Sequence, residues 1–106
     1  MLAIAYHFHV RPRYRDEFQY AWRAACDSLQ QALGLMSYEL RVPRERRETF
    51  TLMLAWDSKA SFERFTRTWV GIWMLNGMGL QREAFAAPIQ TDIGEDVQSP
   101  IGKRAA

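Results

Sequence analysis

Apolar residues recur along this chain with a period of two, then of about 3.6, and the order in which the two periods follow one another limits it to very few folds. From Leu2 to Val10, the residues Leu2, Ile4, Tyr6, Phe8 and Val10 fall on one face and Ala3, Ala5, His7 and His9 on the other. This is a strand, ended by Pro12. From Tyr14 the stripe Tyr14, Phe18, Ala21, Trp22, Ala25, Leu29 and Ala32 has helical spacing, with Asp16, Gln19, Arg23, Asp27 and Gln30 opposite. Gly34 is placed to stop that helix in the left-handed conformation. Leu35 to Val42 alternate again, with Met36, Tyr38, Leu40 and Val42 facing one way. Pro43 to Arg47 form a charged turn, and Glu48 to Trp56 make a third strand with Phe50, Leu52, Leu54 and Trp56 on one face. These two strands should pair as a hairpin.

Asp57 or Ser58 caps the next segment by accepting a backbone N–H, and Phe62, Phe65, Trp69, Ile72, Trp73, Asn76 and Leu80 then recur at helical spacing. Gly71 costs about 1 kcal/mol against alanine inside a helix, so the segment is either one helix or two with a break near Thr68 to Gly71. After Pro88, the residues Ile89, Thr91 and Ile93 alternate as a fourth strand.

Strand, helix, strand, strand, helix, strand is the split βαβ order of the ferredoxin-like fold, an α+β sandwich with an antiparallel four-stranded sheet and both helices on one face. Residues 1–94 form that domain, and 95–106 a polar C-terminal tail. The strongly apolar faces, with Tyr6, Tyr38, Leu52 and Trp56, belong to the helix-covered side because that side must hold the core. The second face carries Ala3, Ala5, His7, His9, Ser37, Thr49, Thr51, Met53 and Ala55, residues small or semi-polar enough to pack on an identical sheet in a two-fold homodimer. A chain of 106 residues buries only about two-thirds of the surface its unfolded form exposes, so a second protomer would supply core that one lacks.

Composition narrows the partners. The net charge is +2, and the basic residues are scattered apart from Arg41, Arg44, Arg46 and Arg47, a cluster that also holds Glu45 and Glu48. A solvated hairpin tip explains it, and no long basic stripe with interleaved aromatics marks a nucleic-acid binder. The lone Cys26 cannot form an internal disulfide, and the first residues run straight into a strand without a charged leader, so a cytoplasmic protein is expected. No apolar run approaches the roughly 20 residues of a membrane-spanning helix. Aromatic residues make up 13% of the chain and include four Trp, enough to fill a core and also to wall a pocket for a flat molecule.

The segment Ala55-Trp56-Asp57-Ser58-Lys59-Ala60-Ser61-Phe62 resembles the strand-end Trp, short turn and Ser/Ala-led helix of antibiotic biosynthesis monooxygenase domains, and the opening strand with Arg11-Pro12 resembles them too. The resemblance in element order runs from about Leu2 to Ile93. It implies a homodimeric α+β barrel with a pocket between helices and sheet in each protomer, oxygenating quinols and polyketide-derived aromatics with molecular oxygen and with neither metal nor flavin. Haem-degrading relatives use an Asn on the first strand, a Trp on the second helix and a later His on iron. Here those places fall at Tyr6, at Phe65, and at Leu75 and Asn76, so haem binding is a third choice.

Such chemistry needs a substrate that is itself the reductant, a few polar contacts and exclusion of water. The candidate catalytic contacts are Tyr6 and Asn76. Candidate substrate walls are Trp22, Trp56, Phe65, Trp69 and Trp73, with Asn76 on the same stripe if the helical phase persists past Gly71. His7 and His9 have an i, i+2 spacing that could hold a metal, but the further ligands are missing, and a polar dimer face is the better account. Cys26, at the edge of the first helix's stripe, reads as an inert thiol. A non-catalytic dimeric module that binds a small apolar ligand is the alternative function.

Overall fold

In the computed structural model, which describes residues 1–43 and 49–95, the sequence periods become a sheet with helices on one side. β1 (Leu2–His9), β2 (Leu35–Arg41), β3 (Thr49–Trp56) and β4 (Gln90–Glu95) are joined by α1 (Arg15–Gln30) and by two short helices, α2 (Lys59–Thr66) and α3 (Trp69–Leu75). The strand order is β2-β3-β1-β4, antiparallel throughout. This is the ferredoxin-like arrangement. The predicted tip of the hairpin, with Arg44, Arg46 and Arg47, and the tail from 96 onward lie outside the described residues.

The register places the two faces as the alternation predicts. Tyr6 pairs with Leu52 and with Thr91, and His7 with Thr51 and Gln90. On the helix-covered face Leu2, Ile4, Tyr6, Phe8, Phe50, Leu52, Leu54 and Trp56 meet Phe18, Trp22, Ala25 and Leu29 of α1 and Phe65 and Met74 of the short helices in one core. Phe18 is its hub, with Phe8 at 5.1 Å, Phe50 at 4.7 Å and Phe85 edge-on at 6.5 Å between ring centroids. Aromatic pairs at these spacings each add about 0.5–1.5 kcal/mol beyond the area they bury.

Several local expectations are corrected. Met36 is 56% exposed because the register slips between Leu35 and Ser37, a bulge in which the extra residue leaves the ladder. Val42 lies beyond the end of β2 and is exposed. Ile93 is on the core face but on an edge strand the helices do not reach, and it is 60% exposed. α1 ends at Gln30, before Gly34. Gly34 takes φ +85° one turn later, where its carbonyl accepts from Asp57 N at 2.8 Å and an added Cβ would collide with Ser61. It is therefore the seam between the helix layer and the end of β3.

The second helical segment is broken at Arg67 and Thr68. Ser58 caps α2 by accepting from Ser61 N at 3.2 Å, and Thr68 caps α3 by accepting from Gly71 N at 3.1 Å. Gly71 belongs at the break because a Cβ there would strike the Phe65 carbonyl. Each helix thus starts its own phase.

Candidate functional site

Among the described residues, the helix-covered face holds two buried polar atoms without a partner. Tyr6 Oη and Trp56 Nε1 are buried and, among the described residues, find no hydrogen-bond partner. Tyr6 is 1% exposed and Trp56 0%. Burying a hydroxyl or an indole N–H unpaired costs about 1–3 kcal/mol, so two in one small core mark a place where packing alone is not the optimum. Tyr38 makes the contrast: on the same face, its hydroxyl accepts from Gln30 Nε2 at 3.1 Å. Desolvation pushes the Tyr6 phenol well above its ordinary value, so it remains a protonated donor and not a base.

Trp56 stands at the end of β3 under α2, tilted against Phe65 at 5.0 Å and Phe62 at 6.4 Å. Phe65 in turn walls a hollow of about 230 Å³ with Ala32, Leu33 and Val70 between the end of α1 and the short helices. Trp22 is buried edge-on to Tyr38 at 5.9 Å. Tyr6, Trp22, Trp56 and Phe65 therefore share one core.

Trp69 and Asn76 do not join it, and Trp73 packs only against its edge. Trp69 is 75% exposed and stacks on the half-buried Trp73 at 6.3 Å and 8°. The restart of helical phase at Thr68 turns them away from the Phe65 stripe. Asn76 is exposed at the end of α3, where its Nδ2 donates to the Ile72 carbonyl at 2.8 Å. The amide expected among buried rings is instead on the rim of a cleft.

That cleft, of about 500 Å³, lies between the end of α3 and the approach to β4, lined by Asn76, Leu80, Arg82, Phe85, Pro88 and Ile89 among others. Its floor is tied to β1: Val10 bridges Phe85, Arg11 N donates to Ala84 O at 2.8 Å and Ala86 N to His9 O at 2.7 Å. The opposite wall turns through Gly77, Met78 and Gly79 at φ +94°, +56° and +78°. Met78 has a side chain in the left-handed region, an unfavourable conformation that persists because Met78 is anchored in the core. Sequence periodicity missed the cleft because its residues sit in turns, and the only signals were the glycines flanking Met78 and Pro88.

On the outer face the two His are fully engaged. His7 Nδ1 is 3.1 Å from Thr51 Oγ1 and its Nε2 2.9 Å from Asp92 Oδ2, while His9 bonds Thr49 Oγ1 at 3.0 Å and Gln90 Oε1 at 3.1 Å. They are rungs of a cross-strand ladder. Among the described residues no cluster of three His, Cys, Asp or Glu could hold a metal. Since the chain has two His in all, no imidazole is left for an iron on the helix-covered side, and the residues do not fit the histidine-ligated haem of the degrading relatives. Cys26 is half-buried and unpaired in any disulfide, with burial first and Asp27 second raising its thiol above the ordinary value.

A four-stranded antiparallel sheet with an aromatic core under helices on one face defines a ferredoxin-like α+β domain. The antibiotic biosynthesis monooxygenase family matches residues 1–69, and the chain belongs to it. Solved structures agree in fold. A crystal structure described as an antibiotic biosynthesis monooxygenase superposes with TM-score 0.77 at 14% identity, covering 92% of this chain and 99% of that one. The Rv0793 protein of Mycobacterium tuberculosis gives 0.77 at 15%, covering 92% and 96%. SnoaB of Streptomyces nogalater, described as a cofactor-independent oxygenase, gives 0.72 at 12%, covering 92% and 94%. No curated protein shows significant sequence similarity to the chain. Among the described residues no helix is long and apolar enough to cross a membrane.

Proposed function

We propose that the protein is a cofactor-independent monooxygenase of small aromatic, quinol or polyketide-type substrates, acting with molecular oxygen as a cytoplasmic homodimer. The observation that carries this reading is the pair of buried, unpartnered donors, Tyr6 Oη and Trp56 Nε1. Donors held dry and unpaired are what an oxygen atom gaining negative charge requires, since no existing bond must be broken to receive it. Family membership and the oxygenase named among the structural neighbours support the same reading.

The substrate would carry its own electrons. For an acidic ring methylene, loss of a proton gives a carbanion or phenolate that passes electrons to oxygen. One oxygen atom stays on the carbon as a carbonyl and the other leaves as water with the two methylene hydrogens, so the four electrons come from the substrate. Tyr6, kept protonated by burial, donates to the substrate oxygen, while Trp22, Trp56 and Phe65 are flat walls that exclude water. Asn76 is a contact at the rim, Trp73 packs against the edge of the core, and Trp69, largely exposed, touches only the part of a substrate that extends outside it. The outer sheet face, with Ala5, Met53 and the His ladder half-buried, is the surface that a second protomer covers.

Oxygen uptake by metal-stripped protein, measured on a panel of quinols and polyphenolic aromatics, tests this. Uptake above the spontaneous rate, falling about 100-fold in Tyr6→Phe as for loss of one oxyanion donor, is the expected result. Background uptake across the panel contradicts it. A second reading, a binding module without turnover, draws on the position of the 500 Å³ cleft outside the core, and it predicts aromatic binding with no oxygen consumed.

A further inference from the structure

We propose that the cleft between α3 and β4 is a binding site for a flat aromatic carboxylate, held by an ion pair to Arg82. The volume, about 500 Å³, is in the range of sites that take molecules of two or three rings. Its walls are apolar at Leu80, Phe85, Pro88 and Ile89, and such a site fixes a ligand's orientation with very few polar groups. The charge at hand is a cation. Arg82 is exposed and lines the cleft, and among the described residues its guanidinium makes no hydrogen bond and no ion pair.

The neighbouring acid does not quench it. Glu83 Oε1 accepts from the Tyr14 hydroxyl at 3.3 Å, and the Glu83 carbonyl accepts from Arg11 Nε at 3.1 Å, so Glu83 is held toward the Arg11–Tyr14 turn. A guanidinium presents a planar fork of donors that matches a carboxylate in two parallel bonds, whereas a neutral ligand leaves it solvated and unused. Asn76 completes the polar set. Its Nδ2 is committed to the Ile72 carbonyl, which leaves its amide oxygen as an acceptor for a ring hydroxyl on the same ligand.

The cleft is preformed. Phe85 is fixed from one side by its bridge to Val10 and its edge contact with Phe18. From the other side it is held by Gly77, at which an added Cβ would come within 2.8 Å of the Phe85 ring. A site already shaped loses little freedom when a rigid ring enters. The inference shares Asn76 with the oxygenase reading but is read by binding and charge preference at Arg82 and not by turnover, so it can fail while the oxygenase reading stands, and the reverse.

The test is calorimetric titration of the whole protein with naphthalene-2-carboxylate and, separately, naphthalene-2-carboxamide, which differ in charge and little in shape. The carboxylate is expected to bind at least about tenfold more tightly, a preference that weakens with added salt. Arg82→Gln should abolish the preference while leaving the carboxamide's affinity and the circular dichroism spectrum unchanged, and Arg82→Lys should keep part of it. A ring hydroxyl too far from the carboxylate to bond it internally, as in 6-hydroxynaphthalene-2-carboxylate, should tighten binding in the native protein and not in Asn76→Ala. Equal affinity for the two probes, a preference that survives in Arg82→Gln, or no binding of either at millimolar concentration overturns the proposal.

Discussion

The two faces of the sheet invert the usual relation between burial and polarity. The outer face is half-open to solvent and rich in polar side chains, and there both imidazoles are bonded at both nitrogens to Thr51 and Asp92 or to Thr49 and Gln90. The helix-covered face is packed with rings, and there the Tyr6 hydroxyl and Trp56 N–H have no partner among the described residues. A protein selected only for stability would satisfy or delete those two donors. Two unpaired donors where the cost is greatest are the observation that supports the proposal of a site on the covered face.

The comparison can be broken most violently at the covered face. Phe18→Ala removes the ring shared by Phe8, Phe50 and Phe85 and should cost about 3–5 kcal/mol in chemical denaturation. On the open face, Met53→Lys sets a cation between Ala5 and Glu39, where a two-fold partner would bring a second one. Sedimentation should then show dimer dissociation strengthened at least about 100-fold with the protomer still folded; a native protein that sediments as a monomer removes the dimer from the account. At the seam between helix layer and sheet, Gly34→Ala meets both the left-handed φ and Ser61, and a loss of about 1–3 kcal/mol is expected. The smallest effect is the most discriminating: Tyr6→Phe should leave stability unchanged or raise it by about 1 kcal/mol, because it deletes an unpaired buried hydroxyl.

The same substitution has a pH signature. A phenol whose folded value lies above the unfolded one, as burial makes it for Tyr6, leaves stability intact below about pH 10 and erodes it as pH rises beyond that point. Native protein should therefore lose stability with alkali more steeply than Tyr6→Phe, as read by denaturant midpoints between pH 9 and about 11.

What was legible in the sequence follows from which forces act locally. Alternation in β1 and β3 fixes their faces, because a period of two leaves a half-buried strand one choice, and Tyr6, Leu52 and Trp56 lie in the core as expected. The second helical segment shows where that reasoning stops. Residues Phe62 to Leu80 keep a continuous 3.6 spacing in sequence, yet Thr68 caps a new helix and turns Trp69 into solvent and Asn76 onto a rim. Gly71 raises the choice between one helix and two, and the outcome for phase depends on backbone geometry at Arg67 and Thr68 that no pattern carries. Met36 was misplaced for a related reason, since a bulge is set by pairing with β3 and not by β2 itself. Arg82 and Phe85 belong to turns, which have no period to read.

The central claim, that the covered face keeps unpaired donors for chemistry, is tested most directly by measuring the denaturant stability and the substrate-dependent oxygen uptake of Tyr6→Phe side by side with the native protein. The account predicts stability equal or higher and uptake lost. Lower stability with uptake intact would contradict it and make Tyr6 an ordinary core residue.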